Sequence, residues 1–369
     1  MPRISLVLSA IACAGPLAIA FAQGVAAQTA AASGRVTAPV AHDNLAFYFL
    51  RGSSAPGPVP LTLAEALGRG GITVHETGNV SQLQVENTGE DSVFIQAGDI
   101  VKGGQQDRVL TVSLLLPPKS GKLPIGAFCV EQGRWAARGK EDVKRFASAE
   151  QSVPSREAKL VMLAPVKPRA EPAPTAGANP VRQGNVPQAP LTAPSRSDNR
   201  QSEVWANVGK IQDKLSANLN ATVAAAQSAS SLQLSLENEK LSKARAGYTS
   251  ALSGAVDGKP DIVGVVIAIN GRLSSAEVYP SNGLFRKMWP KLLDAGATEA
   301  IADKAEKVDA LPTTAQVLAF LDAADAGKPI EDAKLDAGNA RELKDSAASI
   351  AVATKRPDGK LVHKSYLAK

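Results

Sequence analysis

Cysteine is nearly absent from this sequence, with only Cys13 and Cys129 in 369 residues. Cys13 falls in the leader described below, so Cys129 stands alone once that leader is gone and no intramolecular disulfide can form. Stability must then come from an ordinary hydrophobic core, and the chain is long enough to bury one large core or two modest ones. Histidine is equally scarce: His42, His75 and His363 are the only three and share no metal-ligand spacing. Aromatic residues make up 4%, too few for the stacking platforms that single-strand nucleic-acid grooves place beside positive charge. The net charge is +6, but Lys and Arg are interspersed with Asp and Glu and no basic run occurs. Nucleic acid is therefore not an expected partner.

Familiar catalytic signatures are missing as well. There is no G-x-S-x-G elbow, no phosphate-binding P-loop, no H-E-x-x-H and no C-x-x-C. Cys129 lies in an apolar strand context and reads as a small buried hydrophobe, not a nucleophile. No cofactor and no metal site can be named.

No stretch reaches the ~20 continuous apolar residues of a membrane-spanning helix. The nearest, residues 4–22, is interrupted by Gly15 and Pro16. It follows Met1-Pro2-Arg3 and carries two A-x-A-like sites, Ala20-Phe21-Ala22 and Val25-Ala26-Ala27. A short basic region, an apolar region and small residues at the cut form the pattern of a secretory signal peptide, cleaved after Ala22 or Ala27. The expectation is an exported protein, periplasmic or secreted, that does not span the membrane.

Residues 28–41 are rich in Ala, Thr, Ser and Gln and are expected to be disordered, with the folded part starting at His42. Residues 42–164 read as β-rich: 45–50, 72–74, 83–85, 93–95, 109–116 and 125–130 are short runs separated by Gly, Pro, Asn or Asp. One helix interrupts them, opened by Thr62 and Glu65 in capping-box spacing and closed by Gly68 to Gly71. The dense prolines of 165–200 read as a linker or insertion.

From 201 to 369 the pattern turns helical and then forms hairpins. Val204, Val208, Ile211, Leu215, Leu219 and Val223 make one apolar stripe at three- and four-residue spacing, and a second helix is expected over 236–252. Residues 262–269 form a continuous β-branched strand, Asn270-Gly271 a tight hairpin turn, and the chain returns over 273–279. Helices are expected at 284–295 and 314–324, the latter capped by Thr313 and Gln316, and a last hairpin turns at Pro357-Asp358-Gly359. The fold class is α+β, with a β-rich N-terminal part joined by the later hairpins in one mixed sheet system and several packed helices. The proline-rich segment is then an insertion within one composite domain.

Polar residues gather in two stretches, Gln96 to Leu110 and Cys129 to Trp135. Arg108 and Arg134 offer bidentate forks, Gln105 and Gln106 paired donors and acceptors, and Trp135 a stacking face, a set suited to a ligand rich in hydroxyl and phosphate. Asp99 and Glu131 can also pair for acid–base work or hold a divalent ion. The candidate ligand-binding residues are Asp99, Gln105, Gln106, Arg108, Glu131, Arg134 and Trp135. The alternative is that Arg108–Asp99 and Arg134–Glu131 are ion pairs joining strand ends.

At these two stretches the chain resembles the ARG and Rhodanese-Phosphatase-superfamily-associated protein domain family. The resemblance rests on Val85-Glu86-Asn87, on the run from Ala97-Gly98-Asp99 to Asp107-Arg108, on Cys129 to Trp135, on Val263-Gly264 to Asn270-Gly271, and on Trp289 to Leu293. It covers about 44–367. Asp99 stands where the family pattern has Glu, Asp107 where it has Asn, and 165–200 is an added segment. The name refers to genomic association with ADP-ribosylglycohydrolases and rhodanese-like phosphatases, so the resemblance implies ADP-ribose or nucleotide-linked chemistry. Three readings stay open: a binding domain for a small polar or anionic ligand, a carboxylate- or metal-dependent hydrolase, and an envelope protein-interaction module using the 204–223 helix or the proline-rich segment.

Overall fold

The computed structural model describes residues 34–153, 156–163 and 200–369. The expected leader at 1–27 and the proline-rich stretch up to residue 199 lie outside the described residues.

The strand Ile262–Ile269 is buried along its whole length, and its two faces serve different cores. Val265, Ile267 and Ile269 enter the large core, whereas Val266 and Ala268 enter a smaller one. Its neighbour Leu45–Arg51 divides the same way, Leu45, Phe47 and Phe49 against Ala46, Tyr48 and Leu50. A strand covered on both faces needs no polar alternation, which is why both read as unbroken apolar runs. They sit in an eight-stranded antiparallel sheet ordered Val40–His42, Leu45–Arg51, Ile262–Ile269, Arg272–Val278, Leu361–Ala368, Ser349–Lys355, Ala340–Asp345, Lys328–Lys334. The turn residues Asn270 and Gly271 both have positive φ, +53° and +77°, as a two-residue hairpin demands.

Both late hairpins therefore share a sheet with the first N-terminal strands. The other early strands form two sheets of their own. Six strands run in the order Phe146–Ser152, Asp99–Gly103, Arg108–Leu110, Gly121–Cys129, Gln82–Asn87, Ile72–Asn79. Leu61–Thr62, Val93–Ile95 and Leu114–Leu116 make a third, small sheet. The expected strand 109–116 is thus two strands in two sheets, broken at 111–113.

One helix, Asn282–Ala302, covers one face of the large sheet. Trp289 packs edge-on against Phe47 and Phe49, at 4.9 and 5.3 Å between centroids, an arrangement that adds to the plain burial of the rings. The helix runs past Ala295 because its last turns, Ala-Gly-Ala-Thr-Glu-Ala-Ile-Ala, are buried all round, leaving no apolar stripe to read. Thr314–Asp325 covers the opposite face, and Thr313 and Gln316 form its capping box, as Thr62 and Glu65 do for Leu63–Gly68.

Arg200–Asn218 buries Val204, Val208, Ile211 and Leu215. The stripe outlasts the helix: the chain turns at Asn220 (φ +48°), and Val223 reaches the core from outside it. The expected helix at 236–252 is two, Leu232–Leu236 and Glu239–Leu252, the second capped by Asn238. These helices pack into the core that also holds Phe94, Ile100 and Val109, so chain on both sides of the proline-rich stretch builds one interior. The ordered chain also starts before His42, since Val36 bridges to Leu50 and is buried. Among the described residues no helix is long and apolar enough to cross a membrane.

Candidate functional site

Two glycines with positive φ, Gly103 and Gly104, turn the chain sharply between Asp99–Gly103 and Arg108–Leu110. A Cβ on Gly104 would run into the Phe146 ring. The turn drives Asp107 inward, where it is fully buried and accepts from Gly103 N–H at 3.1 Å and from Ser231 Oγ at 2.9 Å. Arg138 grips it with both terminal nitrogens, at 2.9 and 3.2 Å. Glu131, also fully buried, accepts from Asp107 N–H at 3.1 Å and from Arg134 Nε at 2.7 Å. Arg134 also donates to the Gly103 and Gly104 carbonyls, each at 3.2 Å, to the Ala136 carbonyl at 2.6 Å and to Asp107 at 3.4 Å.

Two carboxylates held against two guanidiniums satisfy the rule that buried charges come paired. Burial pushes the Asp107 carboxyl up, Arg138 pulls it back, and the neighbouring Glu131 charge adds to the rise. Arg138 is raised by Asp107 and Glu141 in spite of its own burial.

Of the seven expected residues, this knot holds Glu131 and Arg134 directly. Gln106 joins through its amide, which donates to the Glu131 carbonyl at 2.9 Å. Arg108 is fully buried beside it, bonded to the Gln106 carbonyl at 3.2 Å, 3.6 Å from Glu76 and 5.6 Å from the Trp135 ring centroid. Gln105 reaches it by its backbone N–H, which donates to Glu76 at 3.2 Å. Trp135 is the most exposed of the seven.

Asp99 stands apart. It pairs with Lys291 at 2.8 Å and accepts Gln96 N–H at 3.0 Å. The expected pair Arg134–Glu131 therefore forms, whereas Arg108 pairs with Glu76 in place of Asp99. The carboxylate that neighbours Glu131 is Asp107. Arg138 and Ser231 escaped the sequence reading; for Arg138 the Arg-x-x-x-Arg spacing from Arg134 was a signal, while nothing local marks Ser231. Cys129 is buried nearby, and burial pushes its thiol up to about 11, so it stays protonated at neutral pH. Among the described residues no group of three His, Cys, Asp or Glu side chains is placed to hold a metal ion.

A different surface is open to solvent. A cleft of about 890 Å³ lies between the Asn270-Gly271 hairpin tip, the end of Asn282–Ala302 and the loop that follows it. Arg156, Lys214, Arg272, Lys304, Lys307 and Lys369 line it, against Glu299, Asp303 and Asp309. Asp303 neutralises Lys214 at 2.7 Å and Asp309 neutralises Arg272 at 3.0 Å. Lys304 and Lys307 are exposed and have no ion-pair partner among the described residues.

Glu299 forms part of the wall from a buried position, 8% exposed. It accepts Arg156 N–H at 3.2 Å and Ser274 Oγ–H at 3.4 Å. Burial pushes its carboxyl up to about 7, with Asp303 adding to the rise and Arg156 and Lys159 opposing it. Lys369 pairs with Asp345, so with Glu299 neutral the surplus positive charge of the cleft rests on Lys304 and Lys307. Among the described residues no aromatic side chain lines the cleft.

The family model described as the ARG and Rhodanese-Phosphatase-superfamily-associated Protein domain matches residues 33–367, nearly the whole chain. No curated protein and no solved structure matches it.

Proposed function

We propose that this chain, which belongs to the ARG and Rhodanese-Phosphatase-superfamily-associated Protein domain family, is a binding protein for a small, multiply charged anion. The observation that supports it is the cleft of about 890 Å³ in which Lys304 and Lys307 stand without an ion-pair partner among the described residues, beside Glu299 with its carboxyl raised to about 7. Lysines without partners are hydrated point charges, suited to phosphate or carboxylate groups that arrive with part of their own water.

The reading places the ligand in the cleft and gives the knot around Asp107 and Glu131 the task of holding strand ends together, since those charges already neutralise one another. The lining also speaks on ligand class. ADP-ribose and nucleotides bring a base that asks for a stacking face, and the described residues of the cleft offer none. Compact phosphates, pyrophosphates and polycarboxylates fit better. The leader-like residues 1–27 place this activity outside the cytoplasm in the same proposal, and N-terminal sequencing of the mature protein, expected to start after Ala22 or Ala27, tests that part.

Calorimetric titration tests the binding. Pyrophosphate should bind more tightly than sulfate, ADP-ribose no more tightly than pyrophosphate, and adenosine not at all, with affinity falling as salt rises. Absence of heat with every anion in low salt would overturn the proposal. Tight adenosine binding would move the site elsewhere.

A further inference from the structure

The break at 111–113 leaves Ser113 between two sheets instead of inside either ladder. Its Oγ lies 3.0 Å from Nδ1 of His363, on the last strand of the large sheet. Across the ring, His363 Nε2 lies 3.1 Å from Glu277 Oε2 on the adjoining strand, within hydrogen-bond distance though not yet aligned for one. Three residues from distant parts of the chain thus form a hydroxyl–imidazole–carboxylate line, all of it buried.

The surroundings support this order of roles. Lys159 sits 3.3 Å from Glu277 Oε1, and Ser365 donates to Oε2. Burial works against the Glu277 charge, but Lys159, His363 and Ser365 outweigh it and hold the carboxyl down to about 2. An ionised carboxylate beside Nε2 favours the tautomer with its proton there, leaving Nδ1 unprotonated toward the serine. The rings of Tyr279 and Phe94, centred 4.9 and 5.6 Å from the imidazole, limit its rotation. Ala97 N–H donates to Ser113 Oγ at 2.9 Å, fixing the hydroxyl while leaving a second lone pair. A narrow slot of about 30 Å³ opens on the serine, walled by Val112, Met162, Leu163 and Val352, with Lys159 at its side.

We propose that Ser113 is a nucleophile, His363 its general base and Glu277 the positioning carboxylate of an acyl-transfer site for esters of small acyl groups. Ser113 Oγ bonds to the acyl carbon as its proton passes to His363 Nδ1. Lys159 supplies positive charge for the oxyanion. Collapse breaks the ester C–O bond, and the leaving alcohol takes the proton from His363. Water then attacks acyl-Ser113, its proton going to Nδ1 and on to the departing Ser113 Oγ, and the carboxylic acid leaves. A slot of about 30 Å³ has room for a small acyl group and keeps the alcohol part outside, which limits the acyl group to acetyl size. This site shares no residue with the anion cleft, so the two proposals stand or fall separately.

The test is p-nitrophenyl acetate with the whole protein, read as a burst of nitrophenolate and as acetylation of the Ser113 peptide by mass spectrometry. The wild type should give both. His363→Gln should slow the burst by roughly 10²–10⁴-fold, the usual worth of a general base. Ser113→Ala should abolish the adduct, and Ser113→Cys, which keeps the volume and a nucleophile, should retain it even where the alanine variant folds poorly. Glu277→Gln should move the pH at which the burst rises to lower values, a change that loss of packing alone does not produce. No acetyl group on Ser113 of folded wild-type protein, or equal bursts in wild type and His363→Gln, would overturn the assignment.

Discussion

Replacing Glu299 by glutamine should stabilise the protein by an amount that grows as pH climbs from the unfolded carboxyl value of 4.5 to about 7. The carboxyl is 8% exposed and rises from 4.5 to about 7, mainly through burial. A raised value means that the native state keeps a proton which the unfolded chain has already released. The contribution of the group is therefore fully present below the unfolded value of 4.5 and is lost as pH climbs through about 7. A shift of that size is worth about 3 kcal/mol, all of it a penalty on the wild type once Glu299 is ionised. Glutamine keeps the volume and an oxygen for Arg156 N–H but never carries the charge. Melting curves recorded by circular dichroism, in zwitterionic buffers free of binding anions, should coincide at about pH 4 and separate by roughly 6–12 °C at about pH 8.5, the variant melting higher. Equal separation at both pH values, or a less stable variant at the alkaline end, would refute the reasoning that this carboxyl is buried against its own charge.

Other substitutions probe other parts of the account. Asp107→Ala takes away the bidentate partner of Arg138 and the acceptor of Gly103 N–H and Ser231 Oγ, and should cost about 3–5 kcal/mol in urea unfolding. Gly104→Ala meets two obstacles, a φ of +54° and a Phe146 ring whose Cε1 would lie 2.6 Å from the new Cβ. It should destabilise by roughly 2–5 kcal/mol, the left-handed backbone and the overpacking together. The double change Lys304→Gln, Lys307→Gln removes exposed charge without breaking an ion pair among the described residues. It should leave the melting point unchanged while weakening pyrophosphate binding roughly 2- to 30-fold, the worth of two exposed charges.

Much of the fold was legible where the signal is local. Thr62 with Glu65 and Thr313 with Gln316 mark helix starts through bonds spanning three residues, and Asn270-Gly271 marks its hairpin through backbone freedom alone. The illegible elements take their structure from partners far along the chain. Lys328–Lys334 and Ala340–Asp345 lie at the sheet edge with little buried apolar surface, so no alternation betrays them. Phe146–Ser152, reading Phe-Ala-Ser-Ala-Glu-Gln-Ser, is a strand because Asp99–Gly103 pairs with it.

The same division governs the site. Arg134 and Glu131, three residues apart, could be paired by inspection. Asp99 finds Lys291 across 192 positions and Asp107 finds Ser231 across 124, separations that only the folded chain closes. The cleft draws its cations from positions 156 to 369, each an unremarked surface residue until the helix end and the hairpin tip meet. Its charge therefore left no pattern in the sequence.

Anomalous diffraction from crystals of the protein soaked in tungstate tests the central claim most directly, because it reports where a multiply charged anion settles. The account predicts a tungsten peak in the cleft among Lys214, Arg272 and Lys307, weaker in crystals of the Lys304→Gln, Lys307→Gln protein soaked at the same sub-saturating concentration. A peak beside Arg134 and Arg138 instead, or none in the cleft at a concentration that saturates the solution titration, would contradict it.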